Sequence, residues 1–295
     1  MNENTSMGNC GISIQNISLS YGKELVLKNI DLRIKKGSVV TLVGPNGCGK
    51  TTLLKVINGF LRQYEGTVYI DNKNTADISN LEMAKTLSYV SQLHKSSFPF
   101  SVLDVVLTGR MPYISTLSTP GKKDIEKAHR ILEFLGIGHF AHRSYTQISG
   151  GERQMVMIAK ALVQEPDFLL LDEPTSFLDL KNQIHVLKTI TNLSRTRNIT
   201  VLMTLHEPNH AMLFSDEIIL LRKLEDRTCG KSTTSNQCDL HNSTDNKPIL
   251  TYPIDNIVVA GAPEKVMTPE RIQEAYGIHV DILEYKGKRI IVPNI

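Results

Sequence analysis

The chain has 295 residues, 41% hydrophobic and 21% charged, enough apolar mass for one large α/β domain with a small appendage. A net charge of +3 is too weak to argue for nucleic acid as the partner, and no run approaches the roughly 18–20 apolar residues that span a bilayer. The four cysteines, Cys10, Cys48, Cys229 and Cys238, complete no zinc spacing and read as reduced thiols of a cytosolic protein.

Residues 1–10 are polar, without the basic start and apolar stretch of a secretion signal, and read as a flexible tail. Alternation of Ile12, Ile14, Ile17 and Leu19 predicts an edge strand over residues 12–20, and residues 25–34 read as further strand. Val39–Val43 is a short β-branched run that Gly44 ends at once, and residues 50–58 are helical. Apolar residues at helical spacing make 97–143 helix-rich, and Gly150–Gly151 opens another helix. Buried strands are expected at Phe168–Leu171, 199–205 and Glu217–Leu221. Strands alternating with helices imply a mainly parallel sheet with helices on its faces. The polar stretch 223–255 reads as an insertion. Order resumes at 257–259, followed by a helix over Pro269–Tyr276 and a closing hairpin around 286–288.

Gly44-Pro45-Asn46-Gly47-Cys48-Gly49-Lys50-Thr51 fits the phosphate-loop pattern, between the expected strand and helix, with Thr52 beside it among the nucleotide-binding residues. Glycines let backbone N–H groups wrap a phosphate, and the following helix offers its positive end. Lys50 neutralises phosphate charge, and the Thr51 hydroxyl suits Mg²⁺. The strand Phe168–Leu171 ends in Asp172 and Glu173, one acid to reach Mg²⁺ and its neighbour to polarise a water. Together these motifs describe a phosphate-loop nucleotidase.

Gln147-Ile148-Ser149-Gly150-Gly151-Glu152-Arg153-Gln154 narrows the class, because it closely resembles the signature of ATP-binding-cassette ATPases. A hydroxyl and two glycines at a helix start form a second phosphate-binding device. The resemblance implies that this device serves a second copy of the chain, the two facing head to tail around two ATP. It also places Tyr21 against adenine, Gln92 at Mg²⁺ and in coupling, Asp179 in the loop between copies, and His206 as the switch at the γ-phosphate. Catalysis then falls to Glu173, His206 and Lys50, and Mg²⁺ to Thr51, Gln92 and Asp172. Two departures from the family pattern are Phe177, where a small residue is commoner, and Glu207, where an Asp is usual.

The resemblance covers residues 12–276. It implies a phosphate-loop core, an N-terminal antiparallel β subdomain and an inserted helical subdomain at about 93–165, within an ATPase domain of 11–276 followed by a hairpin over 277–295. The segment from Phe98 to Tyr113 looks like the subfamily serving iron–siderophore, haem and cobalamin importers, and molybdate or tungstate importers share its parts. The expected partners are a second copy, two membrane-spanning permease subunits and, indirectly, an extracytoplasmic substrate-binding protein. The expected place is the cytoplasmic face of the membrane. A soluble cassette protein acting on nucleic acid or the ribosome is the reading of another class. It is disfavoured by the single cassette, the missing coiled-coil insertion and the weak charge. The apolar excess from Phe98 to Tyr113 marks that segment as the docking surface for the permease.

Overall fold

The computed structural model describes residues 10–92, 99–115, 118–224 and 256–294. Residues 1–9 of the expected tail, Phe98, and most of the expected insertion, with Cys229 and Cys238, lie outside the described residues, whereas Cys10, expected in the tail, already belongs to the first strand.

The chain opens with β1 (Cys10–Tyr21) and β2 (Glu24–Lys35), joined by a tight turn. The buried β3 (Val39–Val43) and α1 (Lys50–Ile57) follow. β4 (Glu65–Ile70), β5 (Lys73–Asn74), α2 (Asn80–Thr86) and β6 (Leu87–Val90) come next. The helical region holds α3 (Val102–Leu107), a 3-10 turn over Thr108–Tyr113, α4 (Lys122–Phe134) and α5 (Gly150–Val163). β7 (Phe168–Leu171), α6 (Leu180–Arg197), β8 (Thr200–Thr204), α7 (Pro208–Phe214) and β9 (Glu217–Leu221) complete the core. β10 (Ile257–Gly261), α8 (Pro263–Val266), α9 (Pro269–Tyr276), β11 (Val280–Tyr285) and β12 (Lys288–Pro293) end the chain.

The central sheet is six-stranded, in the order β10-β9-β3-β8-β7-β6. Its strands are parallel except β10, which returns antiparallel along β9. Side chains alternate between the two faces of a strand, and here each face has its own core. Val39, Leu169, Leu171, Val201, Met203, Ile218 and Leu220 pack with α5, α6 and α7. Val40, Leu42, Phe168, Leu170, Leu202, Ile219 and Leu221 pack with α1 and the N-terminal sheet. That second sheet is antiparallel, in the order β2-β1-β4-β5. β1 is therefore an interior strand and not the expected edge. Its alternation reports one buried face, but its second neighbour, β4, comes from a segment that carries no comparable pattern.

The segment marked as apolar excess divides differently from the expectation. Val102 and Val106 are buried, and Leu103, Val105 and Leu107 pack on the same core. Phe100 (55% exposed) and Met111 (69% exposed) remain outside, with Tyr113 in between. Tyr113 donates its hydroxyl to the Gln164 carbonyl (2.9 Å), and its ring lies 4.0 Å from the Arg110 guanidinium. Arg110 is buried, pairs with Asp124 at 2.8 Å, and donates to the Val163 carbonyl at 3.0 Å. Most of this apolar run is thus core, and its polar residues pin the 3-10 turn to the end of α5.

Side-chain caps set the helix starts. Ser101 and Asp104 form a reciprocal box at α3, Ser149 and Glu152 do so at α5, and Asp179 and Thr268 cap α6 and α9. Each such cap contributes about 1 kcal/mol. The hairpin β11–β12 buries Val280 and Ile291 on one face. Asn209 of α7 holds it by exchanging two hydrogen bonds with the backbone of Ile291, at 3.1 and 2.8 Å. Among the described residues no helix is long and apolar enough to cross a membrane.

Candidate functional site

The site lies at the carboxyl ends of β3, β7 and β8, where an open parallel sheet leaves a crevice. The loop between β3 and α1 is the glycine-rich segment. Gly44 has φ +155° and Gly49 φ +99°, both in the left-handed half of backbone space. A Cβ on Gly44 would lie 2.4 Å from the Leu221 carbonyl oxygen, and one on Gly49 2.7 Å from Leu27 Cδ2, so neither position admits a side chain. Pro45 is half-buried, Asn46 and Gly47 are exposed, and Cys48 points inward with 1% exposure. Burial raises the Cys48 thiol pKa, and the neighbouring Lys50 opposes that shift.

Lys50 begins α1 and is 6% exposed. Its ammonium donates to the carbonyls of Gly44 (2.6 Å) and Pro45 (3.0 Å). No carboxylate pairs with it among the described residues. Thr51, with Thr52 next to it, sits in the first turn of α1 and donates to Asp172 Oδ1 at 2.9 Å. Asp172 is 4% exposed and receives two further hydroxyls, Thr204 on Oδ1 at 2.9 Å and Tyr89 on Oδ2 at 3.2 Å. Among the described residues no basic side chain pairs with it either. A buried cation and a buried anion therefore share one crevice, each held only by neutral dipoles. Such charges are costly to bury unless counter-charges arrive.

Glu173 follows with φ +51°, a left-handed turn that ends β7. Its N–H donates to the Thr204 hydroxyl at 2.8 Å. Its carboxylate gathers three partners: the Gln92 amide and the Ser176 hydroxyl (2.8 Å) on Oε2, and the His206 imidazole on Oε1. Gln92 and His206 thus meet at one acid. Tyr21, at the end of β1, is 49% exposed and free to receive a flat ring.

Ser149, Gly150 and Gly151 form the start of α5. Ser149 and Gly150 are exposed, and the Ser149 hydroxyl accepts the Glu152 N–H while Glu152 accepts the Ser149 N–H. Gly150 packs beside Leu178, and Gly151 beside Asn182, so the loop carrying Asp179 shares their face. Asp179 is spent in capping α6. No hydrogen bond or ion pair joins this cluster to Lys50 or Asp172 among the described residues.

The matching family model, ABC transporter, covers residues 27–176, from within β2 to the turn after the two acids. The chain belongs to the ABC transporter ATP-binding family. Like other ABC proteins of this type, it is an ATPase coupled to transport, with the cassette fold. It is 35% identical over 212 residues to the iron(3+)-hydroxamate import ATP-binding protein of Bacillus subtilis, covering 72% of this chain and 79% of that one. It is 36% identical over 216 residues to the molybdate import ATP-binding protein of Haemophilus influenzae, covering 73% and 80%. A solved chain from an inward-facing transporter named as metal-chelate type superposes with a TM-score of 0.77 at 28% identity, covering 97% of this ABC protein and 98% of that chain.

Sequence reasoning missed several residues of the site. Thr204 and Tyr89 hold Asp172, and Ser176 holds Glu173. Asn256, fully buried, donates to the Val26 carbonyl at 2.8 Å and the Cys48 carbonyl at 3.4 Å, and so ties β2 to the glycine loop. Tyr89 and Ser176 stand next to recognised motifs, but nothing local marks Asn256.

Proposed function

We propose that the chain binds Mg·ATP in this crevice and hydrolyses it to drive uptake of a metal chelate through a membrane importer. The observation that carries the nucleotide reading is the pair of buried charges without counter-ions. Phosphate oxygens satisfy Lys50, and a divalent cation satisfies Asp172. The donor set fits Mg²⁺, since the Thr51 hydroxyl, the Asp172 carboxylate and the Gln92 amide oxygen are hard oxygen ligands that leave room for water and phosphate. When bound, Mg²⁺ neutralises charge on the β- and γ-phosphates.

The residues divide the work. Lys50 exchanges its carbonyl partners for phosphate oxygens, the glycine-loop N–H groups and Thr52 line the phosphates, and Tyr21 stacks on adenine. Glu173 accepts a proton from the attacking water, which bonds to the γ-phosphorus as the bond to the β-phosphate oxygen breaks. Gln92 and His206 hold that carboxylate from both sides, and His206 also meets the γ-phosphate. Ser149, Gly150 and Gly151 present the positive end of α5 to the ATP of a second copy, with Asp179 on the same face. The exposure of Ser149 and Gly150, and the lack of any hydrogen bond or ion pair from this cluster to Lys50 or Asp172 among the described residues, support the two-copy site.

Permease subunits dock in an open groove of 860 Å³ beside the nucleotide site, lined by Phe60, Leu61, Met83, Ala84, Leu87 and Tyr89. Phe60 is 66% exposed there. Tyr113 borders the groove through Gln164, and Lys85 of α2 lies 5.3 Å from the Tyr113 ring, so the far end of the expected docking segment reaches one rim. The protein then sits at the cytoplasmic face of the membrane, held by its permeases, with a substrate-binding protein on the far side. Metal chelate is preferred as cargo on the hydroxamate relative and the metal-chelate structure, and the molybdate relative supports an oxyanion as the second reading.

The test is Lys50→Ala. ATP binding and hydrolysis should vanish, while circular dichroism and melting temperature hold or improve, because an unpaired buried cation is removed. Undiminished hydrolysis would overturn the reading. Uptake of ferric hydroxamate against molybdate, by the subunit reconstituted with its co-encoded permeases, decides the cargo.

A further inference from the structure

We propose that Tyr89 is a positioning residue that mechanically links the Phe60 groove to the cation ligand Asp172. The inference rests on the reading of Asp172 as a Mg²⁺ ligand and of the groove as the permease site. Tyr89 lies on β6, beside Leu170 of β7, and Asp172 directly follows that strand. One side chain therefore spans from groove to acid. Its ring lines the groove and meets the edge of Phe60, with centroids 5.5 Å apart and planes at 86°. Its hydroxyl donates to Asp172 Oδ2 at 3.2 Å.

The two oxygens of Asp172 are held differently. Oδ1 takes both threonine hydroxyls, Thr51 and Thr204, from rigid elements of the core. Oδ2 takes Tyr89 alone among the described residues. The rotation of the carboxylate about its Cβ–Cγ bond is thus set on one side by the core and on the other by a ring facing the groove. A permease segment that presses on Phe60 moves the Tyr89 ring, and the hydroxyl at its far end moves with it. Hydrogen-bond partners of metal ligands are worth roughly 10–100-fold in metal affinity. Occupancy of the groove is therefore felt where the cation binds.

Tyr89→Phe separates the two ends, because it keeps the ring and its contact with Phe60 and removes only the hydroxyl. Cation binding is read without turnover, as Mn²⁺ titrated by electron paramagnetic resonance into the subunit loaded with a non-hydrolysable ATP analogue. Mn²⁺ half-saturation should rise about tenfold, with metal-free nucleotide affinity unchanged. Phe60→Ala, which frees the ring, should raise it about threefold. Asp172→Asn is measured alongside. If Asp172→Asn loses Mn²⁺ but Tyr89→Phe binds it like the unmodified protein, the positioning role is overturned while the cation site stands. If Asp172→Asn binds Mn²⁺ normally, both readings fall together. An unchanged Phe60→Ala breaks the link to the groove.

Discussion

His206 and Gln92 close on the same carboxylate, the imidazole on Glu173 Oε1 and the amide on Oε2. A side chain gripped on both oxygens is positioned before substrate arrives, so its charge is the property that substitution can remove cleanly. Glu173→Gln keeps size and hydrogen bonding. Hydrolysis should fall about 10²–10³-fold with ATP binding retained, as expected for loss of a general base. The undischarged ATP should then hold two copies together. Light scattering on a gel-filtration column, with and without ATP, reads this directly. A variant that still turns over at the normal rate would remove Glu173 from catalysis.

Docking is probed best at Met111. Tyr113 is a poor probe, because its contacts with Gln164 and Arg110 make it part of the helical region's own structure. Met111 is 69% exposed. Met111→Glu should leave the ATPase activity and melting temperature of the isolated subunit within error. It should abolish co-purification with the permeases and stop uptake. Uptake at the normal rate would exclude the Met111 face from the docking surface.

The buried Arg110 makes acid stability depend on Asp124. The guanidinium hydrogen bond, helped by the Gly121 N–H, holds the Asp124 carboxyl below its ordinary value. A depressed folded-state pKa contributes stability that is complete above the unfolded value, near about 4, and is lost as pH falls through the folded value. Asp124→Asn should cost about 2 kcal/mol at pH 7. Its melting temperature should then fall less steeply than that of the unmodified protein below about pH 4. Parallel curves from thermal melts across that range would show that the pair is not linked to folding.

What the sequence disclosed followed the range of each interaction. The glycine loop, the two acids and the start of α5 are local devices, legible because backbone geometry and charge are set within a few residues. Gly44 and Gly49 are required by their own φ angles and immediate crowding. Tyr89, Thr204 and Asn256 act across the fold on residues 83, 32 and 208 positions away, and no spacing rule reaches that far. The strand β1 was misplaced at an edge for the same reason, since β4 supplies its second neighbour. The apolar run ending at Tyr113 misled in the opposite direction. Its excess is real, but Val102 and Val106 spend it inside the helical region.

The Arg222 N–H donates to the Asn256 carbonyl at 2.7 Å, so the two flanks of residues 225–255 are held together as a closed gate. Asn256 is itself locked to β2 and the glycine loop. Doubling the length of a closed segment costs only about 0.6 kcal/mol more, so a gate held by its own flanks should tolerate a change in the length it closes. Replacing 225–255 with a short turn should leave ATPase activity and melting temperature nearly unchanged, provided Asn256 is kept. The same gate then serves as a grafting port, where a fluorescent reporter can be spliced within a few residues of the nucleotide loop. A graft that silences the ATPase while the domain stays folded would show that the native segment takes part in the site.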